Sequence, residues 1–473
     1  MSSISALNSL LGSSSAIDIS DILAAVAGAT TPGIDVTSAV NASLAGAEAP
    51  ENNWESQQTT LQNQTSALTS LQTDATNLDD DMRSLNSLTG PLAAATVTSS
   101  NSGVVTASAA AGSAFGNNVV IVNSLATTAS YSSDDVASPT TDLPAGETIT
   151  ITPSGGSATT ITTGSGVNTL SDLENAINTG GLGVTASIIT DASGSRLAIT
   201  SNTSGSAGSF TISSSGGSFG FAVGNTGNNA SLTVNGIAVS SASNTVTGAL
   251  PGVTLNLQSA SPGTQVSLDV APNTSQASAA INQFVSDYNA LISAVNSQYS
   301  DSGSGQGVLA EDPTVSSLQN TLLQSMDYTA SPASGNTTTT MPNLSSLGIT
   351  VNTDGTLSVD SATLNSALQN NFSDVQNFFQ GGSLNGFANS LDQQLTNFTS
   401  PADGAFTVDL QSISTENTAL NTDITNFQNN VIAPLKTQLQ AEYSSAEIAL
   451  QQLPAEIKDV DEELGQNNSS SNG

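Results

Sequence analysis

Two tracts near opposite ends of the chain carry apolar residues at a seven-residue period. In the first tract, apolar residues recur every seven positions from Trp54 onward, beginning with Leu61 and Leu68. A second series with the same period begins at Leu71 and lies between them. Spacing of this kind keeps an apolar seam of one helix facing a partner helix. The predicted seam positions are Trp54, Leu61, Leu68, Leu71, Leu78, Met82, Leu85, Leu439, Tyr443, Ala446, Leu450, Leu453, Ile457 and Val460. We therefore predict that the two ends of the chain pack together as a coiled-coil stalk.

The region before the first tract is expected to contain a flexible leader, residues 1–33, and then a short helix. Asp35 is predicted to cap that helix, because its carboxylate can accept hydrogen bonds from the free amides of the first turn. Pro50 is predicted to end the helix, since proline has no amide hydrogen. Together with the long heptad tract, these residues define an N-terminal helical leg at 34–94.

Between residues 95 and 272 the period changes from seven to two. Runs of Val, Ile and Thr are punctuated by Gly, Asn and Pro, which is typical of strands joined by turns. The pair Asn235-Gly236 lies between two such runs and predicts a type I′ hairpin. One helix, capped by Asn168 or Thr169, interrupts the strands. We expect two β-rich domains here, inserted between the terminal helices.

Residues 273–408 are predicted to form a helix and a β-hairpin that pack on the N-terminal leg. The helix begins near Thr274, and the hairpin turns at Asp354-Gly355. Asp360 follows the hairpin and is predicted to cap the next helix.

A C-terminal helical leg is predicted at 409–465, followed by a flexible polar tail at 466–473. Pro434 and Pro454 are expected to kink or interrupt this leg, because each lacks a helical hydrogen bond. The predicted fold is thus α+β and multidomain. The N- and C-terminal helices pack as a coiled-coil stalk, and the β-rich domains are inserted between them.

The charge of the chain narrows the range of partners. Only 9% of its residues are Asp, Glu, Lys or Arg, against about 25% in ordinary soluble domains. Four basic residues face 38 acidic ones, which gives a net charge of −34. This balance argues against a nucleic-acid partner, because neutralising phosphates requires clustered basic residues. It also disfavours binding to an anionic membrane surface.

The chain contains no His and no Cys. This composition removes the Ser-His-Asp and Cys-His triads and the usual ligands of zinc. No phosphate-binding loop of the Walker type is present. The acidic residues are scattered, so no pair is marked out for glycoside hydrolysis. We expect neither enzymatic activity nor a cofactor or metal site.

Two acidic segments are candidates for calcium binding. Consecutive helical residues point in different directions, so Asp79-Asp80-Asp81 is interpreted as a solvated strip beside the seam. The segment from Asn352 to Gly355 lacks the closing Glu of a calcium loop and is interpreted as a hairpin turn.

The start of the chain bears on its location. Residues 1–15 carry no Lys or Arg, so the basic region of a Sec signal peptide is missing. The apolar stretch at 17–29 is interrupted by Asp18 and Asp21 and is too short to span a bilayer. We expect no membrane insertion and export without a cleaved signal peptide.

Four stretches of the sequence resemble the bacterial flagellar filament-capping proteins, the hook-associated protein 2 family. Residues 33–40, with Pro50 after them, are similar to the family's N-terminal helix and its proline break. The flagellin/hook insertion motif, the helix after the β region and the C-terminal pattern of the family correspond to residues 170–201, 284–292, and 347–357 with 439–453. The terminal helices differ from the family in carrying Gln, Ser and Thr where Lys, Arg and Glu are usual.

The resemblance implies a non-enzymatic cap at the distal tip of the flagellar filament, which promotes folding and incorporation of exported flagellin. It implies a homo-oligomeric ring of about five subunits. The terminal helices would be legs that engage flagellin and other axial proteins. The resemblance also implies an extracellular location, export through the flagellar type III apparatus, and a chaperone that holds the C-terminal helix.

Two other functions fit the same layout. A secreted adhesin or surface-layer protein would use its β domains for binding, and its helices would be spacers. Another flagellar axial protein, such as a hook-filament junction protein, would also join helical ends. The β-rich insertion with its motif favours the cap over the junction protein, and glycan binding by residues 95–271 alone would favour the adhesin.

Overall fold

The computed structural model describes residues 35–300, 305–332, 340–382 and 384–469. The predicted leader at 1–33 lies outside the described residues. The chain divides into two compact units. The first contains the described parts of Met1–Thr73, Asn296–Ser316 and Asn397–Gly473. The second contains the described parts of Asp74–Val295 and Ser317–Thr396.

The elements follow one another in a helix–strand–helix order. The helices are α1 (Val36–Ala47), α2 (Ala49–Asn86), α3 (Leu170–Thr179), α4 (Thr274–Tyr299), α5 (Pro313–Ser325), α6 (Ser361–Asn370), α7 (Phe372–Gln380), α8 (Phe387–Thr399), α9 (Ala405–Phe427) and α10 (Ala433–Ser469). The strands are β1 (Ala95–Ser99), β2 (Val105–Ala109), β3 (Gly116–Ser124), β4 (Thr128–Ser133), β5 (Thr148–Pro153), β6 (Thr159–Thr162), β7 (Val184–Asp191), β8 (Gly194–Ser204), β9 (Phe210–Ser214), β10 (Phe221–Asn225), β11 (Ala230–Val234), β12 (Ile237–Ser241), β13 (Thr245–Leu250), β14 (Val253–Leu257), β15 (Val266–Pro272), β16 (Ile349–Val351) and β17 (Leu357–Val359). This order confirms the predicted α+β multidomain fold.

The start of α1 and its separation from α2 follow the sequence signals. The Asp35 carboxylate accepts hydrogen bonds from the amides of Thr37 and Ser38, at 3.1 and 3.2 Å. Only Glu48 separates the two helices, and Pro50 is the second residue of α2. Proline is tolerated there, because amides of the first turn have no helical partner. The predicted cap and the predicted break are both confirmed.

The two prolines of the C-terminal leg behave differently from each other. A π-helical turn, Gln428–Ile432, lies directly before Pro434, and the Ala433 amide donates to the Gln428 carbonyl. Pro434 therefore marks an irregularity, as expected. Pro454 lies inside α10, which continues through it, so the predicted interruption there is wrong. The reason is that a proline removes one hydrogen bond, while the turns on both sides keep theirs. The helix also continues to Ser469, past the start predicted for the polar tail.

Residues 95–127 and 226–273 form what we call the first β domain. It contains a five-stranded sheet in the order β1-β15-β3-β11-β12 and a three-stranded sheet in the order β13-β14-β2. The two sheets enclose one apolar core of alternating inward-facing residues, among them Val105, Val120, Leu232, Leu255 and Leu268. This alternation is the period of two that the sequence shows.

Residues 128–225 form the second β domain. Its sheets have the orders β10-β4-β8-β7 and β6-β5-β9, and α3 packs on β7. The Thr169 hydroxyl accepts a hydrogen bond from the Asp172 amide, and the Asp172 carboxylate accepts one from the Thr169 amide. Of the two caps that the sequence allowed, Thr169 is therefore the one used, in a capping box.

Both predicted hairpins are present. Asn235 and Gly236 have φ angles of 52° and 82°, and Val234 pairs with Ile237 across the turn. Two central residues with positive φ define a type I′ turn, which glycine and asparagine adopt at little cost. The second hairpin joins β16 and β17. After it, the Asp360 carboxylate caps α6 by accepting hydrogen bonds from the amides of Ala362 and Thr363.

An aromatic cluster forms the core of the helical part of the second unit. The rings of Phe284 on α4 and Phe387 on α8 are 5.6 Å apart and meet edge to face. Phe378 of α7 stacks on Phe387 at 5.3 Å. Because aromatic residues make up only 4% of the chain, concentrating them here fixes how α4, α7 and α8 meet.

Candidate functional site

The first tract of predicted seam residues lies along one face of α2. Trp54 is half-buried, and the others in this tract are buried. The buried members are Leu61, Leu68, Leu71, Leu78, Met82 and Leu85. The heptad spacing therefore marks the face of α2 that packs against the rest of the chain. The role of this face in assembly stays a prediction.

The two ends of the chain pack against each other within the first unit. The rings of Trp54 on α2 and Phe427 on α9 meet at right angles, with centroids 5.5 Å apart. The hydroxyls of Ser43 on α1 and Tyr443 on α10 share a hydrogen bond of 2.8 Å. Ser43 precedes Trp54, whereas Tyr443 follows Phe427, so the N-terminal and C-terminal helices run antiparallel.

The second tract is less buried than the first. Leu439, Tyr443 and Leu450 are half-buried, and Ala446 is exposed. The side chains of the remaining predicted positions, Leu453, Ile457 and Val460, lie outside the described residues. Ile448, which is not a seam position, is 57% exposed. α10 thus presents apolar surface that its packing on α1 leaves partly open.

A buried carboxylate lies where the ends of the chain meet. Glu51 is 9% exposed, and the Gln428 side-chain amide donates a hydrogen bond to it. Gln428 is the first residue of the π-helical turn. The pairing satisfies a charge that would be costly to bury alone. It therefore favours one alignment of α2 with the start of that turn.

The acidic strip on α2 is not uniformly solvated, so that interpretation is wrong for Asp79. The Asp79 residue is only 1% exposed, and its carboxylate lies 2.6 Å from Nη2 of Arg83, four residues later. Nε of Arg83 donates to the Asp392 carboxylate of α8 at 2.8 Å. The Asp79–Arg83 spacing was the signal available in the sequence. The sequence does not indicate that Asp392 on α8 also pairs with Arg83.

A second pair of acids joins α2 to α4. Burial, then the hydrogen bond and charge of Asp287, and finally the charge of Asp80, raise the pKa of Asp81 to about 7. The protonated form of Asp81 is therefore favoured up to about neutral pH. Burial and the charge of Asp287 also raise the pKa of Asp74. No local pattern predicts this pair, because Asp81 and Asp287 are distant along the chain.

Several of the scattered acidic residues, which the sequence does not group into a catalytic pair, have structural partners. Arg196 bridges Asp135 and Asp191 at 3.0 and 3.2 Å. The Asp134 carboxylate accepts a hydrogen bond from the Gly220 amide at 2.7 Å. These contacts hold turns of the second β domain together.

Two further acidic residues cap a helix or close a turn. Asp312 accepts from the amide of Thr314 at 2.8 Å, at the start of α5. Asp354 accepts from the amide and hydroxyl of Thr356, and these bonds lower the pKa of Asp354. In the described parts of the chain, no three Asp or Glu side chains are grouped to hold a metal ion. None of the described helices is both long and apolar enough to cross a membrane.

Family models match three segments of the chain. The flagellar hook-associated protein 2 N-terminus matches residues 32–129, and the C-terminus of the same family matches residues 227–455. The flagellin hook IN motif matches residues 148–203, between the other two. A search of curated proteins finds no match.

Solved structures of flagellar cap proteins are similar to this chain. The D1-D2-D3 domains of FliD from Escherichia coli are 27% identical, with a TM-score of 0.59, over 74% of this chain and 99% of that one. FliD, or HAP2, from Pseudomonas aeruginosa PAO1 is 27% identical over 42% of this chain and 98% of that one, with a TM-score of 0.37. The first comparison shows that the fold is similar over most of the chain.

Proposed function

Because the chain belongs to the flagellar hook-associated protein 2 family, we infer that it is a non-enzymatic cap of the bacterial flagellar filament. At the distal tip it promotes the folding and incorporation of exported flagellin. The observation that carries this inference is the order of the three family matches, N-terminus, insertion motif and C-terminus, along one chain. The family is a structural one, which agrees with a sequence that lacks His and Cys.

The cap works as an oligomer in contact with flagellin. We infer legs at 34–94 and 409–465 and β-rich domains at 95–272, with the region at 273–408 packed on the leg. Leg packing holds the ends together through buried leucines, each worth about 1.5–3 kcal/mol when fully buried. A ring of about five subunits would repeat one heterologous contact around the filament axis. Half-buried seam residues such as Trp54 and Leu439 are candidates for contacts with flagellin.

Export carries the chain to the extracellular tip without a cleaved signal peptide. We infer that a chaperone holds α10 before export. The partly open apolar surface of this helix supports that proposal. Leu439, Leu450 and Ile448 would supply apolar contacts to that partner. An amphipathic helix laid in an apolar groove is a common way to hold such a segment.

The other functions considered from the sequence are not favoured. If the chain were a surface adhesin, there would be no reason for it to match both the N-terminal and the C-terminal models of one flagellar family. If the chain were a junction protein, its similarity to a flagellar cap structure over 74% of its length would be unexplained.

The test is complementation of a strain that lacks the gene. The full-length chain should restore filaments, whereas removing residues 34–90 or 411–473 should abolish filament growth while flagellin leaks into the medium. Immunoblots of cells and medium should verify that each variant is made. Normal filament growth with both truncated variants would overturn the proposed function.

A further inference from the structure

The charge of the chain is distributed very unevenly. Asp269 is the only charged residue of the first β domain, residues 95–127 and 226–273. An ordinary domain of that size would have about a quarter of its residues charged. The other 37 acidic residues and all four basic residues lie outside this domain, and the chain as a whole has a net charge of −34. One domain of a strongly acidic protein is therefore almost neutral.

This neutrality matters when copies of the chain approach each other. Two surfaces of the same sign repel, and bringing like charges together at an interface costs several kcal/mol. With only four basic residues, the chain cannot offset its acids by cross-pairing between copies. Neutral surfaces can meet without this cost. The first β domain, with its single charged residue, offers such a surface.

The same domain leaves one strand edge open. β12 is the last strand of its five-stranded sheet and pairs only with β11 among the described strands. The two-residue turn makes Val234 and Ile237 a hydrogen-bonded pair, so the backbone groups of Ala238 and Ser240 point away from β11. These groups are free to pair with another strand.

β12 also lacks the usual protection of an edge strand. Natural edges carry charges, prolines or bulges that prevent pairing with another chain. β12 has none of these, and Ile237 at its start is 70% exposed. In contrast, β7, an edge strand of the second β domain, ends at Asp191, which pairs with Arg196. Ile189 on β7 is 52% exposed, so the two edges differ in charge rather than in apolar exposure.

We propose that the first β domain is a contact surface between copies of this chain, in which the free edge of β12 lies against the next copy. The partner is a second copy because its own first β domain offers the same charge-free surface. The proposal rests on the proposed function, since a cap built as a ring requires contacts between identical subunits.

The test uses the purified full-length protein in sedimentation velocity. Ile237→Asp places a charge at the contact, and Ala238→Pro removes an outward-facing amide. Both should weaken association by about tenfold or more, because an unpaired charge or a lost strand pairing falls within the interface. Ile189→Asp is the matched control and should associate like the wild-type chain. Circular dichroism should verify that all three variants are folded.

A covalent readout makes the test specific to the site. Because the chain has no cysteine, Ala238→Cys can carry a single benzophenone-maleimide, and Ile189→Cys serves as its control. On illumination, only the label at position 238 should give a species with the mass of two chains. Ile237→Lys should weaken association as Ile237→Asp does, since neither charge has a counterpart on a neutral surface.

Three results would overturn the proposal. These are a wild-type chain that stays monomeric at about 0.1 mM, unchanged association of Ile237→Asp and Ala238→Pro, or stronger association of Ile237→Lys. The last would place β12 against an acidic surface instead. Filament growth in the complemented strain judges the proposed function separately. A wild-type chain that restores filaments while both β12 variants associate normally would refute the contact and leave the cap function standing.

Discussion

Replacing Phe427 with alanine tests directly whether the two ends of the chain hold each other. The Phe427 ring meets Trp54 edge to face at 5.5 Å, and both side chains are half-buried. The contact joins α2 to α9, which are distant in sequence and antiparallel. Removing this contact should therefore weaken the packing of both terminal segments in the first unit.

The expected loss follows from burial and ring geometry. Truncating a fully buried Phe costs about 3–5 kcal/mol, and roughly half of that applies to a half-buried ring. An edge-to-face aromatic pair contributes about 0.5–1.5 kcal/mol beyond area, so the ring contact supplies part of this loss. We expect Phe427→Ala to lower the free energy of unfolding of the first unit by about 2 kcal/mol.

The assay is the fluorescence of Trp54, the only Trp in the chain. Urea unfolding followed through this residue reports on the first unit. Phe427→Ala should shift the native emission to longer wavelength and lower the urea midpoint. Phe115→Ala is the control, because Phe115 contacts Phe372 in the second unit at 6.1 Å and should leave the emission unchanged. A variant with wild-type emission and midpoint would refute the antiparallel packing of the ends.

Three further predictions concern the second unit and are tested by urea unfolding. The pKa of Asp81 is raised to about 7 in the folded chain, so stability is full below the unfolded value of about 4 and is lost as the pH rises through 7. Asp81→Asn should reduce that decline, leaving the part that comes from Asp74. At pH 8 its free energy of unfolding should exceed that of the wild type by about 1–2 kcal/mol, once screening at this partly exposed site is allowed for. Equal slopes in both proteins would contradict this. The Tyr288 hydroxyl is buried without a hydrogen-bond partner among the described residues, so Tyr288→Phe should keep or raise stability by about 1 kcal/mol, and a clear loss would show that the hydroxyl is bonded. Gly205 and Gly181 both have positive φ, but only at Gly205 would a Cβ meet Ala242, at 2.6 Å. Gly205→Ala should therefore cost about 1–3 kcal/mol more than Gly181→Ala, and equal losses would show that backbone strain alone matters.

The fold follows from the sequence wherever a signal is local. The cap at Asp35, the turn at Asn235-Gly236 and the capping box at Thr169 depend on residues within four positions of each other. The alternation of apolar residues likewise marks the strands before their partners are known. The proline rule failed at Pro454, because a long helix can absorb one missing hydrogen bond.

The candidate surfaces depend on contacts that are distant along the chain. The heptads identify the buried face of α2, but not Phe427 as the partner of Trp54. The sequence alone predicts a solvated Asp79, whereas in the structure Arg83 pairs with both Asp79 and the distant Asp392. The open edge of β12 required the order of strands in the sheet, which the period of two does not specify.

The central claim is that this protein caps the growing end of the flagellar filament. It is tested most directly by electron microscopy of intact filaments, with gold-labelled antibodies raised against the purified chain. The account predicts gold particles at the distal tip of each filament and no label along its length. Label distributed along the filament, at its base or over the cell surface would contradict it.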